Sequence, residues 1–474
     1  MKKVLIIADD LTGATNSASL LINGLDGIPV FIDITDLIKE DLDSLKENEA
    51  VIFNTNTRTE KKEYAHNILM KSSDIMKVFD KRIIIKKIDT AYRGNVASEL
   101  DTIMKSTDRK YSFIINSIPF MNRITVGGFQ IINGRFLEDS DFAIDPYEKI
   151  NSSFIPDILS QSLQVQPGLI RLEEIRRGEK IIKKLIKSYI NRNTNIIIFD
   201  SVSDEDIDRA VNAIADLLGE SALTDAVWMG SLGLIESISR NLMLDEGHRF
   251  LKGITNKDKA NTQPGNLIEC PEKPKKIFGI SASMHKNSYN QILNAQEAGL
   301  VKIIMINIKE FLEQSNNGID TILLTDDYHI SEFIDSLKCK HILQKYITKI
   351  GSMLENKNVF LMPEVDESLK KKRVEKLVLK ILVKITKELF FHQEKSSKIK
   401  RLILVGGETS FYILKGFNTR TVYISGKIEN GIDYGLIQDG DIKGRELLIK
   451  GGSVGDKESV IKMICHNNPV VEVN

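Results

Sequence analysis

The first residues that could do chemistry are two adjacent carboxylates near the start of the chain, Asp9 and Asp10. Five apolar residues, 4–8, precede the pair, and Thr12-Gly13 and a run of small residues follow it. This order predicts a strand, a loop and a helix. Loops at the carboxyl ends of parallel strands are where open α/β sheets bind ligands. The alternative is that the two aspartates only cap the helix, because aspartate is a favoured N-cap residue.

A second group of polar residues belongs to the ends of two further segments, 50–58, a short apolar strand followed by polar residues, and 82–89, the next predicted strand. Its members are Arg58, Lys87, Asp89, Thr90 and Arg93. The carboxyl ends of parallel strands meet at one edge of a sheet, so we expect these side chains to gather beside the acidic pair. Arginine can hold a planar carboxylate through two hydrogen bonds, and aspartate can accept hydrogen bonds from sugar hydroxyls. The alternative is a set of surface ion pairs.

Two glycine turns, Gly406-Gly407 and Gly451-Gly452, each follow a predicted strand in the second half of the chain. Such a turn lets the backbone approach a phosphate closely, and the free N–H groups of a following helix stabilise its charge. Nearby hydroxyl residues are Ser281, Ser283, Thr409 and Ser453. Glycine is also the default residue of any tight turn, so an ordinary connection remains the alternative. Neither a Walker A sequence nor a dinucleotide fingerprint is present.

The elements that must position these residues alternate between apolar strands and helices along most of the chain. This order predicts an α/β fold of two domains, each a mostly parallel sheet flanked by helices. A length of 474 residues also favours two domains. The polar segment 253–276 predicts a linker between domains 1–252 and 277–474. Local expectations are one helix over 63–78, a hairpin over 126–136, turns at Asn133-Gly134 and Asp145-Pro146, a helix over 376–391 and a turn-rich region over 431–444.

Charge and composition exclude several classes of function. The chain has 65 basic and 65 acidic residues, so no overall field attracts nucleic acid or an anionic membrane. No apolar stretch approaches the ~20 residues of a membrane span. The three cysteines, Cys270, Cys339 and Cys465, are far apart and odd in number, which argues against a disulfide framework or a zinc site and fits the cytoplasm. No histidine pair has ligand-like spacing, and we expect His285 to cap a helix or to face solvent rather than to contact phosphate.

Several motifs in order resemble the four-carbon acid sugar kinases. They are 7–15 (IADDLTGAT), 87–95 (KIDTAYRGN), Gly127-Gly128 with Asp145-Pro146, 406–409 (GGET) and 450–456 (KGGSVGD). The resemblance extends from about residue 4 to about residue 464. Two positions depart from the family's pattern: Glu408 stands where aspartate is usual, and Val454 stands where an aromatic residue is common.

The resemblance implies an acid-sugar-binding domain followed by a nucleotide-binding domain, with the active site in the cleft between them. It implies ATP-dependent phosphorylation of threonate, erythronate or a 3-oxo-tetronate. Substrate contacts would come from Asp9, Asp10, Arg58, Lys87, Asp89, Thr90 and Arg93. ATP contacts would come from Ser281, Ser283, Gly406, Gly407, Glu408, Thr409, Gly451 and Gly452.

These observations lead to the hypothesis of phosphoryl transfer from ATP, with Mg²⁺, to a terminal hydroxyl of the sugar acid. The candidate bases are Asp10, Asp89 and Asp456, in that order. The partners we expect are the sugar acid and ATP, with no nucleic acid and no membrane, and a homodimer is left open. The alternative is a non-catalytic sensor of a sugar acid or nucleotide. An oxidoreductase is disfavoured because the dinucleotide fingerprint is missing.

Overall fold

The computed structural model describes residues 2–22, 25, 27–143, 150–163, 165–243, 275–283, 285–314, 327–364, 374–392 and 398–467. The chain divides into two compact units, Met1–Pro264 and Gly265–Asn474. The predicted turn at Asp145-Pro146 and nearly all of the predicted linker 253–276 lie outside the described residues. The predicted limits 1–252 and 277–474 therefore stay a prediction.

The first unit is built on a parallel sheet of eight strands in the order β2-β3-β1-β4-β11-β5-β10-β9, with a small antiparallel sheet β6-β7-β8 beside it. The strands, in chain order, are β1 (Val4–Ala8), β2 (Ile28–Phe31), β3 (Ala50–Asn54), β4 (Ile83–Lys87), β5 (Tyr111–Ile115), β6 (Arg123–Val126), β7 (Phe129–Ile132), β8 (Arg135–Phe136), β9 (Gly168–Ile170), β10 (Ile196–Phe199) and β11 (Ala226–Gly230).

Helices alternate with these strands, as the sequence predicts. They are α1 (Leu11–Leu21), α2 (Lys39–Leu45), α3 (Lys62–Lys71), α4 (Ser73–Val78), α5 (Val96–Ser106), α6 (Ile155–Leu163), α7 (Leu172–Arg176), α8 (Glu179–Asn191), α9 (Asp204–Thr224) and α10 (Leu232–Ile238). The single helix predicted over 63–78 is wrong in one respect, because the chain breaks at Ser72 into α3 and α4. The predicted hairpin over 126–136 is confirmed as the antiparallel pair β7-β8, with its turn at Asn133-Gly134, and β6 adds a third strand that begins at Arg123.

The central strands are apolar along their whole length because helices cover both faces of a parallel sheet. Every residue of β1, β3, β4 and β11 is buried. The register aligns the strand ends, since Ala8 of β1 lies opposite Asn54 of β3 and Lys87 of β4. The loops that leave β1, β3 and β4 consequently start at the same level of the sheet, where the sequence analysis expects the ligand site.

The second unit contains a mixed sheet in the order β13-β14-β12-β15-β18-β17-β16. Its strands are β12 (Ile277–Ser281), β13 (Lys302–Asn307), β14 (Val359–Glu364), β15 (Arg401–Val405), β16 (Thr421–Glu429), β17 (Ile432–Ile437) and β18 (Glu446–Lys450). The pairings from β13 to β18 are parallel, and β17 and β16 continue the sheet in antiparallel fashion.

The region 431–444, predicted to be rich in turns, contains the strand β17. Its glycines hid the strand pattern, since glycine is depleted in ordinary strands. Gly435 is required there because a Cβ atom would collide with the carbonyl oxygen of Tyr423 on β16.

Helices flank this sheet too: α11 (Lys286–Glu297), α12 (Ile308–Leu312), α13 (Asp327–Asp335), α14 (Leu337–Leu354), α15 (Glu375–His392), α16 (Gly407–Gly416) and α17 (Ser459–Cys465). The helix predicted over 376–391 is confirmed as α15. The thiol of Cys339 is buried and free, whereas Cys465 is disulfide-bonded, so the expectation of reduced cysteines is wrong at Cys465. Among the described residues, no helix is long and apolar enough to cross a membrane.

Candidate functional site

The acidic pair after β1 meets Arg58, which follows β3. Nη2 of Arg58 donates to Oδ1 of Asp9 at 2.7 Å, and Nε donates to Oδ2 of the same carboxylate at 3.3 Å. The backbone N–H of Arg58 also donates to the carbonyl oxygen of Asp9 at 3.2 Å. Asp9 is 2% exposed. The two loops are therefore tied together by a buried, two-point ion pair.

Asp10 both caps α1 and belongs to the charged cluster. Its Oδ1 accepts the backbone N–H of Gly13 at 3.0 Å, and its Oδ2 accepts the Thr12 hydroxyl at 2.6 Å. The same Oδ1 lies 2.6 Å from Nη2 of Arg58 and 3.9 Å from Nζ of Lys87. The alternative that Asp10 caps the helix is confirmed, and the cap leaves a ligand-binding role open because a carboxylate has several acceptor positions.

Gly13 is required by the approach of Lys87 to the start of α1. A Cβ atom at this position would collide with Nζ of Lys87 and with Oδ1 of Asp10. The ammonium group thus occupies the space that any other side chain would fill. This close approach explains why glycine stands in the first turn of α1.

A second cationic group lies after β4. Nε of Arg93 donates to Oδ2 of Asp89 at 2.5 Å. Nη1 of Arg123, the first residue of β6, donates to the Thr90 hydroxyl at 2.6 Å. The guanidinium carbons of Arg93 and Arg123 lie 5.6 Å and 4.9 Å from the centroid of the Phe142 ring. Arg123 and Phe142 were not predicted as site residues, because both lie in the irregular segment after β5 and neither follows a strand of the main sheet.

The charges within the cluster shift one another's pKa values. Burial alone would raise the pKa of Asp10, but Arg58, Lys87 and the Thr12 hydroxyl stabilise the carboxylate and lower its pKa to about 2. Burial would also raise the pKa of Asp89, but Arg93 and Arg58 stabilise its carboxylate and hold the pKa well below its usual range. Burial lowers the pKa of Lys87, with Arg58 adding to the effect. Asp10 and Asp89 are therefore ionised at neutral pH.

A buried network supports the Arg58 loop from behind. Nζ of Lys86 lies 2.5 Å from Oε2 of Glu99, with side-chain exposures of 0% and 1%. Oε1 of Glu99 accepts the hydroxyl of Thr57, which is also hydrogen-bonded to the hydroxyl of Thr55 at 2.7 Å. The backbone N–H of Thr55 donates to the carbonyl oxygen of Ala8 at 2.8 Å. Hydrogen bonds and one ion pair thus connect Lys86 of β4 and Ala8 of β1 to the segment 55–57, which leads to Arg58.

The first unit also has a crevice of about 470 Å³ at the opposite edge of the sheet. It includes lysines and Arg82, whose guanidinium donates to the carbonyl oxygens of Val4, Leu45 and Lys46. That arginine is occupied by backbone groups. We therefore assign the candidate site to the carboxyl ends of the strands.

In the second unit, Ser283 lies between the two glycine turns. A Cβ atom on Gly452 would lie 3.0 Å from Oγ of Ser283, and one on Gly406 would lie 3.7 Å from Cβ of Ser283. The hydroxyl of Thr409 accepts the backbone N–H of Ala282 at 3.0 Å. The loops after β12, β15 and β18 therefore meet, which brings together four of the residues that the sequence analysis expects at ATP.

The remaining predicted ATP residues surround this meeting point. Oγ of Ser281 accepts the backbone N–H of Ser283 at 3.2 Å, so it shapes the loop. Gly407 is the first residue of α16, and Glu408 is exposed in its first turn. The backbone N–H of Gly451 donates to the carbonyl oxygen of Gly431 at 3.4 Å. The positive φ of Gly406, 108°, turns the chain directly into α16 and leaves backbone N–H groups at the helix start.

Two polar residues near this point have structural partners. Oδ2 of Asp456 lies 2.7 Å from Nζ of Lys462, and Oδ1 accepts the backbone N–H of Glu458 at 2.8 Å. Asp456 belongs to the second unit, whereas Asp10 and Asp89 belong to the first. Nδ1 of His285 accepts the backbone N–H of Asn287 at 3.2 Å, which confirms the expected helix cap.

Across the part of the chain that the structure describes, no three His, Cys, Asp or Glu side chains are grouped so as to hold a metal ion. A divalent ion would have to bring most of its oxygen ligands with a phosphate group, as Mg²⁺ commonly does.

Two family models match the chain. The model described as "Sugar-binding N-terminal domain" matches residues 4–238, and the model described as "Nucleotide-binding C-terminal domain" matches residues 278–460. These segments contain the charged cluster and the glycine turns, respectively.

Among similar proteins are sugar-acid kinases from several bacteria. A D-threonate kinase of Salmonella typhimurium is 25% identical over 52% of this chain and 56% of its own length. A D-erythronate kinase of Heliobacterium modesticaldum is 24% identical over 44% of this chain and 47% of its own. These matches span about half of each relative. A 3-oxo-tetronate kinase of Pseudomonas fluorescens is 21% identical over 97% of this chain and 95% of its own length.

Solved structures share the fold. A protein of Salmonella typhimurium LT2 superposes with a TM-score of 0.70 at 14% identity, covering 98% of this chain and 99% of its own. Haemophilus influenzae protein HI1011 superposes with a TM-score of 0.64 at 15% identity, covering 97% of this chain and 98% of its own. With both family models in order and relatives named as kinases of three such acids, the chain belongs to the four-carbon acid sugar kinase family.

Proposed function

We propose that this protein transfers a phosphoryl group from ATP to the terminal hydroxyl of a four-carbon sugar acid: threonate, erythronate or a 3-oxo-tetronate. The observation that carries the proposal is the two-point contact of Arg58 with Asp9, extended to Asp10 and Lys87 at the same sheet edge. Carboxylates and cations alternate there. A ligand with both hydroxyl groups and a carboxylate satisfies both kinds of group.

The acceptor would bind to the first unit. Asp9, Asp10 and Asp89 are acceptors for its hydroxyl protons, while Arg58, Lys87 and Arg93 balance their charge. Thr90 supplies a further hydroxyl. Because these groups are fixed by each other and by the strand ends, little side-chain freedom would be lost on binding.

ATP would bind to the second unit. Gly406, Gly407, Gly451 and Gly452 leave room for phosphate groups against the backbone, and the start of α16 offers N–H donors. Ser281, Ser283 and Thr409 shape the loops or donate hydroxyls to phosphate. The exposed carboxylate of Glu408 would repel phosphate, so a hydroxyl or amino group of the nucleoside suits it better.

In the reaction, the acceptor oxygen forms a bond to the γ-phosphorus of ATP, the bond from that phosphorus to the β-bridging oxygen breaks, and ADP leaves. The proton of the acceptor hydroxyl passes to a carboxylate. Asp10 is our first choice, followed by Asp89 and then Asp456, whose ion pair with Lys462 makes it the least available. Mg²⁺, when bound to the phosphate oxygens, neutralises their charge.

The low pKa of Asp10, about 2, is compatible with this role. Phosphoryl transfer proceeds through a loose transition state in which little proton transfer is needed early. A carboxylate that is always ionised at neutral pH can orient the hydroxyl and accept its proton late. Its two tasks, capping α1 and orienting the acceptor, use different lone pairs.

The experiment is an ADP-release assay of the whole chain with D- and L-threonate, erythronate and 3-oxo-tetronates, with ³¹P NMR of the products. Threitol and erythritol, which have the hydroxyls but no carboxylate, are the matched controls. We expect ADP release and one new phosphate monoester with one or more of the acids. If acids bind but none is phosphorylated, the protein is a sensor rather than a kinase.

A further inference from the structure

Arg123 is an additional cation of the site whose charge is not matched by a carboxylate in contact with it. In the described part of the chain, its guanidinium forms no ion pair within 4 Å, and its one side-chain hydrogen bond goes to the neutral hydroxyl of Thr90. The other three cations of the cluster, Arg58, Lys87 and Arg93, each lie within 4 Å of an aspartate. Arg123 is also partly buried, so water compensates it only in part.

Cations outnumber carboxylates among the named side chains of the cluster. Its cations are Arg58, Lys87, Arg93 and Arg123, and its carboxylates are Asp9, Asp10 and Asp89. Four positive and three negative charges leave a net charge of +1 on these seven side chains. Burial lowers the pKa of Arg123, the carboxylate of Asp89 opposes this effect, and the smaller effect of Arg93 adds to it. The guanidinium groups of Arg93 and Arg123, which share the Phe142 ring, therefore repel each other. A monovalent anion beside Arg123 would relieve this repulsion.

The position of Arg123 is fixed before any ligand binds. The backbone N–H of Ile118 donates to the carbonyl oxygen of Arg123 at 2.8 Å. At the other end of β6, the buried carboxylate of Asp200 accepts the N–H groups of Gly127 and Gly128 at 2.6 and 2.9 Å. The Phe142 ring holds the plane of the guanidinium group through a cation–π contact of 4.9 Å.

We propose that Arg123 binds the carboxylate of the sugar acid and thereby selects acids over neutral polyols. The Nη1 atom is held by Thr90, which leaves Nη2 and Nε as donors for a two-point contact with a carboxylate. The aspartates of the cluster then bind the hydroxyl groups at the other end of the acceptor. This assignment rests on the proposed function, since it names the group that recognises one part of the proposed acceptor.

The test is calorimetric binding of D-threonate, of erythronate and of their amides, which keep the hydroxyls and lack the charge. In Arg123→Gln we expect acid affinity to fall about 10- to 100-fold, as for the loss of charged hydrogen bonds. Affinity for the amides should change by less than about threefold, the scale of a lost neutral contact. Arg123→Lys keeps the charge but lacks the planar guanidinium group. Its affinity for the acids should lie between those of the unaltered protein and of Arg123→Gln.

Arg135→Gln is the matched control, because it removes an exposed arginine from β8 of the same small sheet. We expect its acid affinity to stay within about twofold of the unaltered protein, since distant surface charges are screened by salt. Melting temperatures of all three variants separate loss of binding from loss of folding.

The outcomes separate this assignment from the proposed function. Unaltered affinity for acids in Arg123→Gln, or an equal loss for acids and amides, overturns the role of Arg123 alone. If the unaltered protein binds none of the acids, the proposed acceptor class is wrong, and the assignment falls with it.

Discussion

Arg58 donates two hydrogen bonds to the carboxylate of Asp9, with Nη2–Oδ1 and Nε–Oδ2 distances of 2.7 and 3.3 Å. Arg58 follows β3 and Asp9 follows β1, so this pair joins the ends of two neighbouring strands. Because the pair is buried, water screens its charges only weakly, and removal of either partner leaves the other charge poorly compensated. The pKa of Arg58 is correspondingly raised well above its usual value, because the nearby aspartates outweigh the effect of burial.

Asp9→Asn should lower the free energy of unfolding by about 1.5–3 kcal/mol, because Arg58 loses its charged hydrogen bonds to one of two aspartate partners while the pair with Asp10 remains. Urea unfolding measures this loss. The control is Asp101→Asn, which breaks the Lys105–Asp101 pair of 2.7 Å on the surface of α5. That exposed pair should contribute only about 0–1 kcal/mol. Equal losses in the two variants would contradict the importance of the buried contact.

Asp10→Asn tests the proposed base without removing the cap of α1, since asparagine caps helices as well as aspartate does. We expect kcat to fall by about 10²- to 10⁴-fold, as for loss of a general base. ATP affinity, measured by calorimetry, should remain unchanged because the ATP residues belong to the other unit. Near-normal kcat in this variant would remove Asp10 as the base and direct attention to Asp89.

Glu99→Gln should destabilise the first unit by about 3–5 kcal/mol, because it leaves the ammonium of Lys86 buried without a counterion. The double variant Lys86→Met with Glu99→Gln removes both charges and keeps an acceptor for the Thr57 hydroxyl. We expect this double variant to regain most of the loss in urea unfolding. A double variant as unstable as the single one would show that packing, rather than the unpaired charge, causes the effect.

Much of the fold follows from patterns that act locally in the sequence. Strands buried on both faces read as continuous apolar runs, so β3, β10 and β11 were predictable within a residue or two. Their common direction then predicted that residues following the strands would meet, which holds for Asp10, Arg58 and Lys87. The sequence could not predict these contacts in detail, but it did predict the edge of the sheet where they occur.

Other features depend on tertiary placement, and local patterns do not reveal them. Arg123 reaches the site because β6 is held by Ile118 and Asp200, which are distant from one another in sequence. The short strand β9 has only three residues, too few for a periodic signal. In β17, Gly435 allows close packing against β16 instead of forming a turn. The glycine content of 431–444 therefore indicated turns where the chain forms a strand.

Gly406→Ala should weaken ATP binding by about tenfold or more, since a methyl group would enter the space beside Thr409 and Ser283. Gly444→Ala is a matched control because Gly444 also has a positive φ, 79° against 108°, but has nothing within 4 Å of a Cβ atom. Both variants carry backbone strain of about 1–3 kcal/mol, and Gly406 lies outside the left-handed helical region, with φ 108° and ψ 138°. Melting temperatures of both variants therefore accompany the binding measurement. Calorimetry with ATP should therefore distinguish them, while binding of the sugar acid stays unchanged in both. Equal ATP affinities would argue against phosphate at this turn.

Lys450 should make stability depend on pH above neutrality. Its side chain is fully buried and donates to the carbonyl oxygen of Gly451 at 2.7 Å, and burial lowers its pKa from 10.5 to about 8. Between these two values the unfolded chain binds more protons than the folded one, so stability rises with pH. Relative to Lys450→Met, the unaltered protein should gain up to about 3 kcal/mol across this window in urea unfolding. Lys340→Met, at an exposed position of α14, should show no such trend, because its charge stays in water in both states. A flat difference for Lys450→Met would mean that water or a carboxylate reaches the ammonium.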